Sequence, residues 1–190
     1  MSRPVLQVIV ASTRPGRRGL AVATWIRELA EQHSGFDVEL VDLGQLGLPV
    51  FDEPNHPRLQ QYVHQHTKDW SATIARGDAF VFVTPEYNHS YPGALKNALD
   101  YLSHEWADKA AGIVSYGGVS AGLRAATALK PVLAALRMIP VVEAVSIPFF
   151  AQFLDEDDAF VPNTELEAGG KAMLDEIARL TGALRTLRAA

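Results

Sequence analysis

Three short, almost uninterrupted apolar runs limit how this chain can fold. They occupy 5–11 (Val-Leu-Gln-Val-Ile-Val-Ala), 79–83 (Ala-Phe-Val-Phe-Val) and 110–115 (Ala-Ala-Gly-Ile-Val-Ser). Each has the length of a strand and is rich in valine, isoleucine or phenylalanine. None alternates polar with apolar residues, so neither face is left for water. Strands of that kind belong to a parallel sheet covered by helices on both sides. Between and after them come amphipathic segments at helical spacing. Val22, Trp25, Ile26 and Leu29 mark a helix over 20–31, and Leu59, Tyr62, Val63, Trp70 and Ile74 face inward from a helix over 58–76. A third helix follows Pro92, burying Leu95, Ala98, Leu99 and Leu102. A fourth spans 120–137, where Pro131 predicts a kink or a break into two pieces. A fifth spans 164–189, with Met173, Leu174, Ile177, Leu180, Leu184 and Leu187 on one stripe. An alternating run at 36–43 reads as a strand nearer the edge, and 141–147 as a fifth strand. Five strand–helix alternations imply a three-layer α/β sandwich.

With 190 residues, the chain suits a single domain over 1–190. A net charge of −5 argues against a nucleic-acid binder. The absence of cysteine excludes disulfides, thiolate catalysis and cysteine-held metal centres. Residues 1–4 lead straight into a strand without a signal-peptide pattern. No apolar run approaches the roughly 20 residues of a membrane helix. The expectation is a cytoplasmic protein with no membrane partner.

In such a sheet, ligands sit beyond the carboxyl ends of strands where the winding reverses. Three loops at those ends carry chemistry. The first, Ser12-Thr13-Arg14-Pro15-Gly16-Arg17-Arg18-Gly19, joins a strand to a helix start. Unpaired N–H groups and the positive dipole end favour an anion there. Ser12 and Thr13 add hydroxyls, and Arg14, Arg17 and Arg18 add forked donors that match phosphate oxygens. The loop therefore reads as a holder for a nucleotide phosphate. A solvated, arginine-rich helix start is the plainer alternative. The second loop, 85–91, is stiffened by Pro85 and closed by Pro92. It offers backbone groups to a planar ring and two tyrosines, Tyr87 and Tyr91, that could cover a ring face; a structural turn is the alternative. The third, Ser115-Tyr116-Gly117-Gly118-Val119, lets backbone approach a flat ligand closely, although the same residues suit an ordinary strand-to-helix turn.

Other motifs lead elsewhere or nowhere. Gly118-Val119-Ser120-Ala121-Gly122 matches the G-x-S-x-G of hydrolases. That fold needs its histidine after the serine, and the last histidine here is His104, so Ser120 reads as a helix N-cap. Neither a P-loop nor a G-x-G-x-x-G is present. His64 and His66, two apart on a predicted helix, point to different faces and make a poor metal pair. His89 reads equally as a ligand contact or a turn stabiliser. Asp155 to Asp158 reads as a solvated loop.

Taken together, the loops resemble a known family. Ser12-Thr13-Arg14-Pro15-Gly16-Arg17 is similar to the Gly-Ser-x-Arg start of NAD(P)H-dependent FMN reductases, with Ala11 where the family usually has glycine. The run from Pro85 to Asn97 resembles the family's signature nearly residue for residue, and Tyr116-Gly117-Gly118 is similar too. The resemblance implies a flavodoxin-like fold with sheet order 2-1-3-4-5, bound FMN, NADPH or NADH as electron donor, and a homodimer or homotetramer. It places Ser12, Thr13, Arg14, Arg17 and Arg18 at the phosphate. Pro85, Glu86, Tyr87, Asn88 and Ser90 would lie along the ribityl chain and ring, and Ser115, Tyr116, Gly117 and Gly118 on the opposite rim. FMN performs the redox chemistry, so no side-chain general base is required. The acceptor would be a small molecule: a quinone, azo compound, metal oxyanion or free flavin. A flavodoxin-type electron carrier would share fold and cofactor. Carriers of that type hold phosphate with hydroxyls and glycines, whereas this loop uses arginines.

Overall fold

The computed structural model describes residues 3–33 and 35–188. Its strands are β1 (Val5–Val10), β2 (Asp37–Asp42), β3 (Ala79–Pro85), β4 (Ala110–Tyr116), β5 (Ile139–Pro140) and β6 (Val145–Ile147). All pairings are parallel, in the order β2-β1-β3-β4-β5, with β6 also on β4. This is the expected flavodoxin-like order, and its winding reverses between β1 and β3.

Side chains of β1 alternate between two cores. Leu6, Val8 and Val10 meet α1 (Gly19–Gln32) and α6 (Thr164–Arg188) on one face. On the other, Ile9 and Ala11 meet α3 (Gln65–Arg76), α4 (Gly93–Asp100) and α5 (Leu123–Ala135). Burial on both faces is why the run is apolar apart from Gln7, whose amide donates to the Glu39 carboxylate and the Thr73 carbonyl. Each large aliphatic chain so buried contributes about 1.5–3 kcal/mol. In the second core Trp106 packs edge-on against Phe80 at 5.1 Å and Trp70 at 5.9 Å. The Trp70 indole donates to the Ala98 carbonyl at 2.9 Å. The opposite end of the sheet is tied by Asp78, whose carboxylate accepts from the Val5 N–H and from the Arg188 guanidinium.

Several local expectations are corrected. The helix over 58–76 is shorter: a 3-10 turn covers Pro57–Leu59, and α3 begins only at Gln65. The Glu53 carboxylate takes the Val63 and His64 N–H groups at 2.9 and 3.0 Å. Those residues therefore stay out of the helix, and Leu59 and Val63 are exposed rather than inward. His64 thus precedes α3 instead of riding on it. The His64 and His66 rings stack at 5.1 Å, and both face Asp52 rather than diverging.

The fifth strand divides as well. Pro140 pairs with Ala111 and Val145 with Val114, so five steps along the edge span three on β4. The surplus bulges outward and leaves Val142 exposed. A short helix, α2 (Leu43–Leu46), occupies part of the segment read as loop, capped by Asp42. The helix holding Pro131 is one element rather than two pieces, and it starts at Leu123, so Ser120 is not its N-cap. Leu187 is exposed and lies off the buried stripe of α6; the expected final residue, Ala189, falls outside the described residues. Among the described residues no helix is long and apolar enough to cross a membrane.

Candidate functional site

The three loops at the carboxyl ends of β1, β3 and β4 close around one cavity of about 590 Å³. Its polar end is lined by Ser12, Arg14, Gly16, Arg17 and Arg18. Its flatter end is formed by Pro85, Glu86, Tyr87, Tyr116, Gly117 and Gly118. Ten of the residues singled out from sequence therefore share one volume. Thr13 is exposed and faces a smaller depression toward α2 and α4. Asn88 and Ser90 lie on the hairpin turn after Tyr87 and do not line the cavity. Ser115 is fully buried, with its hydroxyl donating to the Ala121 carbonyl at 2.9 Å.

The arginines differ in their partners. Arg17 pairs with the Asp42 carboxylate at 2.5 Å, and that carboxylate is only 5% exposed. Arg18 pairs with Asp158 at 3.2 Å. Arg14 is exposed and has no carboxylate partner among the described residues. The first turn of α1 holds no acidic residue and its Arg18 N-cap makes no side-chain cap. The positive end of α1 is therefore available to an outside anion. The Arg17 Nε is buried with no hydrogen-bond partner.

The loops are joined by polar staples. The Ser12 hydroxyl lies 3.0 Å from the Tyr87 hydroxyl and also bonds Tyr116. Ser12 so links all three loops. Burial pushes the Tyr116 phenol well above its ordinary value, so it stays protonated. Glu86 turns toward α5, where its carboxylate accepts from the Arg124 guanidinium, the Arg124 N–H at 3.1 Å and Ser120. Burial raises the Glu86 carboxyl, but these donors outweigh it and hold it below the usual range. Glu86 is anionic across the neutral range and fixes the second loop to the start of α5.

The second loop turns on two residues of positive φ, Asn88 (48°) and His89 (68°). Tyr87 and Ser90 exchange both backbone hydrogen bonds, at 2.8 and 3.0 Å. This is a tight two-residue hairpin of the primed type. His89 forms a corner of that turn.

One wall was not legible in the sequence. Phe149, Phe150, Ala151 and Gln152 line the cavity from the segment after β6. The Phe149 and Phe150 N–H groups bond the Gly118 and Gly117 carbonyls at 3.0 and 3.1 Å. The adjacent phenylalanines after a strand were the only sequence signal for this wall, and their loop setting hid it.

A family model described as NADPH-dependent FMN reductase matches residues 5–152. The chain is 44% identical over 149 residues to an NAD(P)H-dependent FMN reductase of Schizosaccharomyces pombe, covering 76% of this chain and 74% of that one. It is 34% identical over 137 residues to a quinone reductase of Pseudomonas putida, covering 69% and 70%. Among solved structures, the flavoenzyme FerB, an NAD(P)H:(acceptor) oxidoreductase from Paracoccus denitrificans, superposes with a TM-score of 0.77. That match covers 95% of this chain and 98% of FerB at 22% identity, a likeness of fold. Sequence, sheet order and cavity agree: the chain belongs to the NADPH-dependent FMN reductase family and is an oxidoreductase that uses FMN and NAD(P)H.

Proposed function

We propose that this protein reduces quinone-type acceptors at the expense of NAD(P)H, with FMN held in the cavity between the three loops. One observation carries the reading. An unpaired arginine and an open helix start lie at one end of a cavity whose other end is aromatic and glycine-lined.

The residues fit the cofactor. A Cβ added at Gly16 or Gly118 would meet nothing within 4 Å, so bare backbone there faces open space rather than packing. The buried, unpartnered Arg17 Nε adds a donor at the phosphate end. Arg14 and the N–H groups opening α1 would bind the phosphate. Asp42 holds Arg17 beside them and keeps its charge from dominating. Tyr87, Gly117 and Gly118 would bracket the ring, and Phe149 would narrow the mouth against water. The bound flavin supplies the transfer of reducing equivalents from nicotinamide to acceptor. The protein's part is position and electrostatics, and no side chain in the cavity is needed as a proton donor.

The acceptor class is inferred from the aromatic mouth, and the named activity of the Pseudomonas putida quinone reductase supports it. We also infer that two or more copies assemble, because Val50, Leu59 and Val63 are exposed on the 49–63 segment; light scattering on the purified protein checks this. The main test is direct. The purified protein should be yellow, release flavin on denaturation, and oxidise NADH or NADPH with a benzoquinone. Arg14→Ala should weaken FMN roughly ten- to a hundredfold, the loss of one charged hydrogen bond of about 1.5–3 kcal/mol. Fluorescence titration measures it, and unchanged affinity would remove Arg14 from the site.

A further inference from the structure

A second cavity, of about 670 Å³, adjoins the first and shares Gly16, Arg17 and Arg18 with it. It runs along α1 past Ala21, Thr24 and Trp25 to Glu28 and is closed by the hairpin at 154–160. From Gly19 to Glu28 a helix rises about 1.5 Å per residue, or roughly 13 Å. We propose that this cavity binds the ADP half of the nicotinamide donor, with a free ribose 2′-hydroxyl, so that NADH is the better donor. The inference rests on the reading of the first cavity as the FMN site.

Three features carry it. First, the cavities meet at Arg17 and Arg18. A dinucleotide lying across that boundary would set its pyrophosphate beside Arg18 and one half in each cavity. Second, the floor is aromatic: Trp25 and Phe160 pack at 5.1 Å, tilted 44° to one another, and the small part of each ring left uncovered by the core gives a purine an apolar edge to rest on. Third, the charges are asymmetric. Beyond the two boundary arginines, the lining charges are Glu28, Asp157 and Asp158. Carboxylates accept hydrogen bonds from ribose hydroxyls and from an adenine amino group, and they repel a 2′-phosphate. The hairpin that presents Asp157 is tied internally. Asp155 accepts from the Asp157 and Ala159 N–H groups at 2.9 Å each, and Leu154 bridges Phe160. Asp158 occupies Arg18 and would yield it to the incoming pyrophosphate.

The test is calorimetric titration of the FMN-loaded protein with ADP and with adenosine 2′,5′-bisphosphate. ADP should bind, and bind more tightly than the bisphosphate. Thr24→Trp, which fills the cavity, should weaken ADP about tenfold or more and raise the KM for NADH similarly, with FMN affinity unchanged by fluorescence. Asp157→Lys, on an exposed turn, should reverse the order of the two probes. The proposal is overturned if ADP does not bind, if Thr24→Trp leaves ADP affinity unchanged, or if the bisphosphate binds the wild-type protein more tightly. Failure to load FMN would overturn the reading of the first cavity instead, and ADP titration of the flavin-free protein would still decide the second.

Discussion

Gly19 has no room for a methyl group. A Cβ there would stand 2.3 Å from the Tyr116 hydroxyl and 3.1 Å from its ring carbon. The helix that opens the arginine-lined end of the cavity is therefore fitted against the tyrosine of the third loop. Gly19→Ala should destabilise the protein by about 1–3 kcal/mol, as overpacking does, and Tyr116→Phe in the same chain should restore part of it. Denaturant unfolding of the two single variants and the double variant checks this coupling. Lys109 is a different case, a lysine 5% exposed whose ammonium donates to the Ile74 carbonyl at 2.9 Å. Burial, followed by the nearby Arg188 charge, lowers its pKa from 10.5 to about 8. Below pH 8 both folded and unfolded chains carry the proton, and a cost on the order of 3 kcal/mol is fully present. As pH rises from 8 toward 10.5 the folded chain sheds its proton first, and the cost is relieved. Lys109→Met should melt higher than wild type at pH 7, with the advantage shrinking by pH 10; a constant difference in Tm would refute the sign. Individual residues were the least legible scale. Ser12 reads as a phosphate donor from sequence, and the link its hydroxyl makes to two tyrosines appears only when the folded sheet brings them together.

At the scale of elements, the sequence was informative where pattern and burial agree. The β1 and β3 runs read as buried strands because both faces of each are covered. Prediction failed where a distant side chain intercepts backbone. Glu53 removes two N–H groups from a helix whose apolar spacing had suggested an earlier start. The bulge between β5 and β6 escaped for a related reason, since valines that favour strands also tolerate an exposed edge. His89 holds φ at 68° without being glycine. His89→Val should cost about 1–2 kcal/mol through strain at a left-handed position, whereas His89→Gly should cost little; thermal melts distinguish them. In α5, Pro131 is exposed and lacks the N–H that would bond the preceding turn. Pro131→Ala should stabilise the protein by about 1–3 kcal/mol, measured by urea unfolding.

For the whole molecule, topology was the most legible feature, because alternating strands and helices leave few parallel arrangements. That topology puts both cavities at one end of the sheet and the Asp78 tie at the other. The first strand and the last helix thus finish at the same carboxylate, reached by the Val5 amide and the Arg188 guanidinium. A short flexible linker could join the start of β1 to the end of α6 without crossing the molecule, and a new opening cut at the exposed tip near Glu156 would leave every sheet pairing intact. A circularly permuted chain built that way should still fold, with the new junction at the far end of the sheet from both cavities.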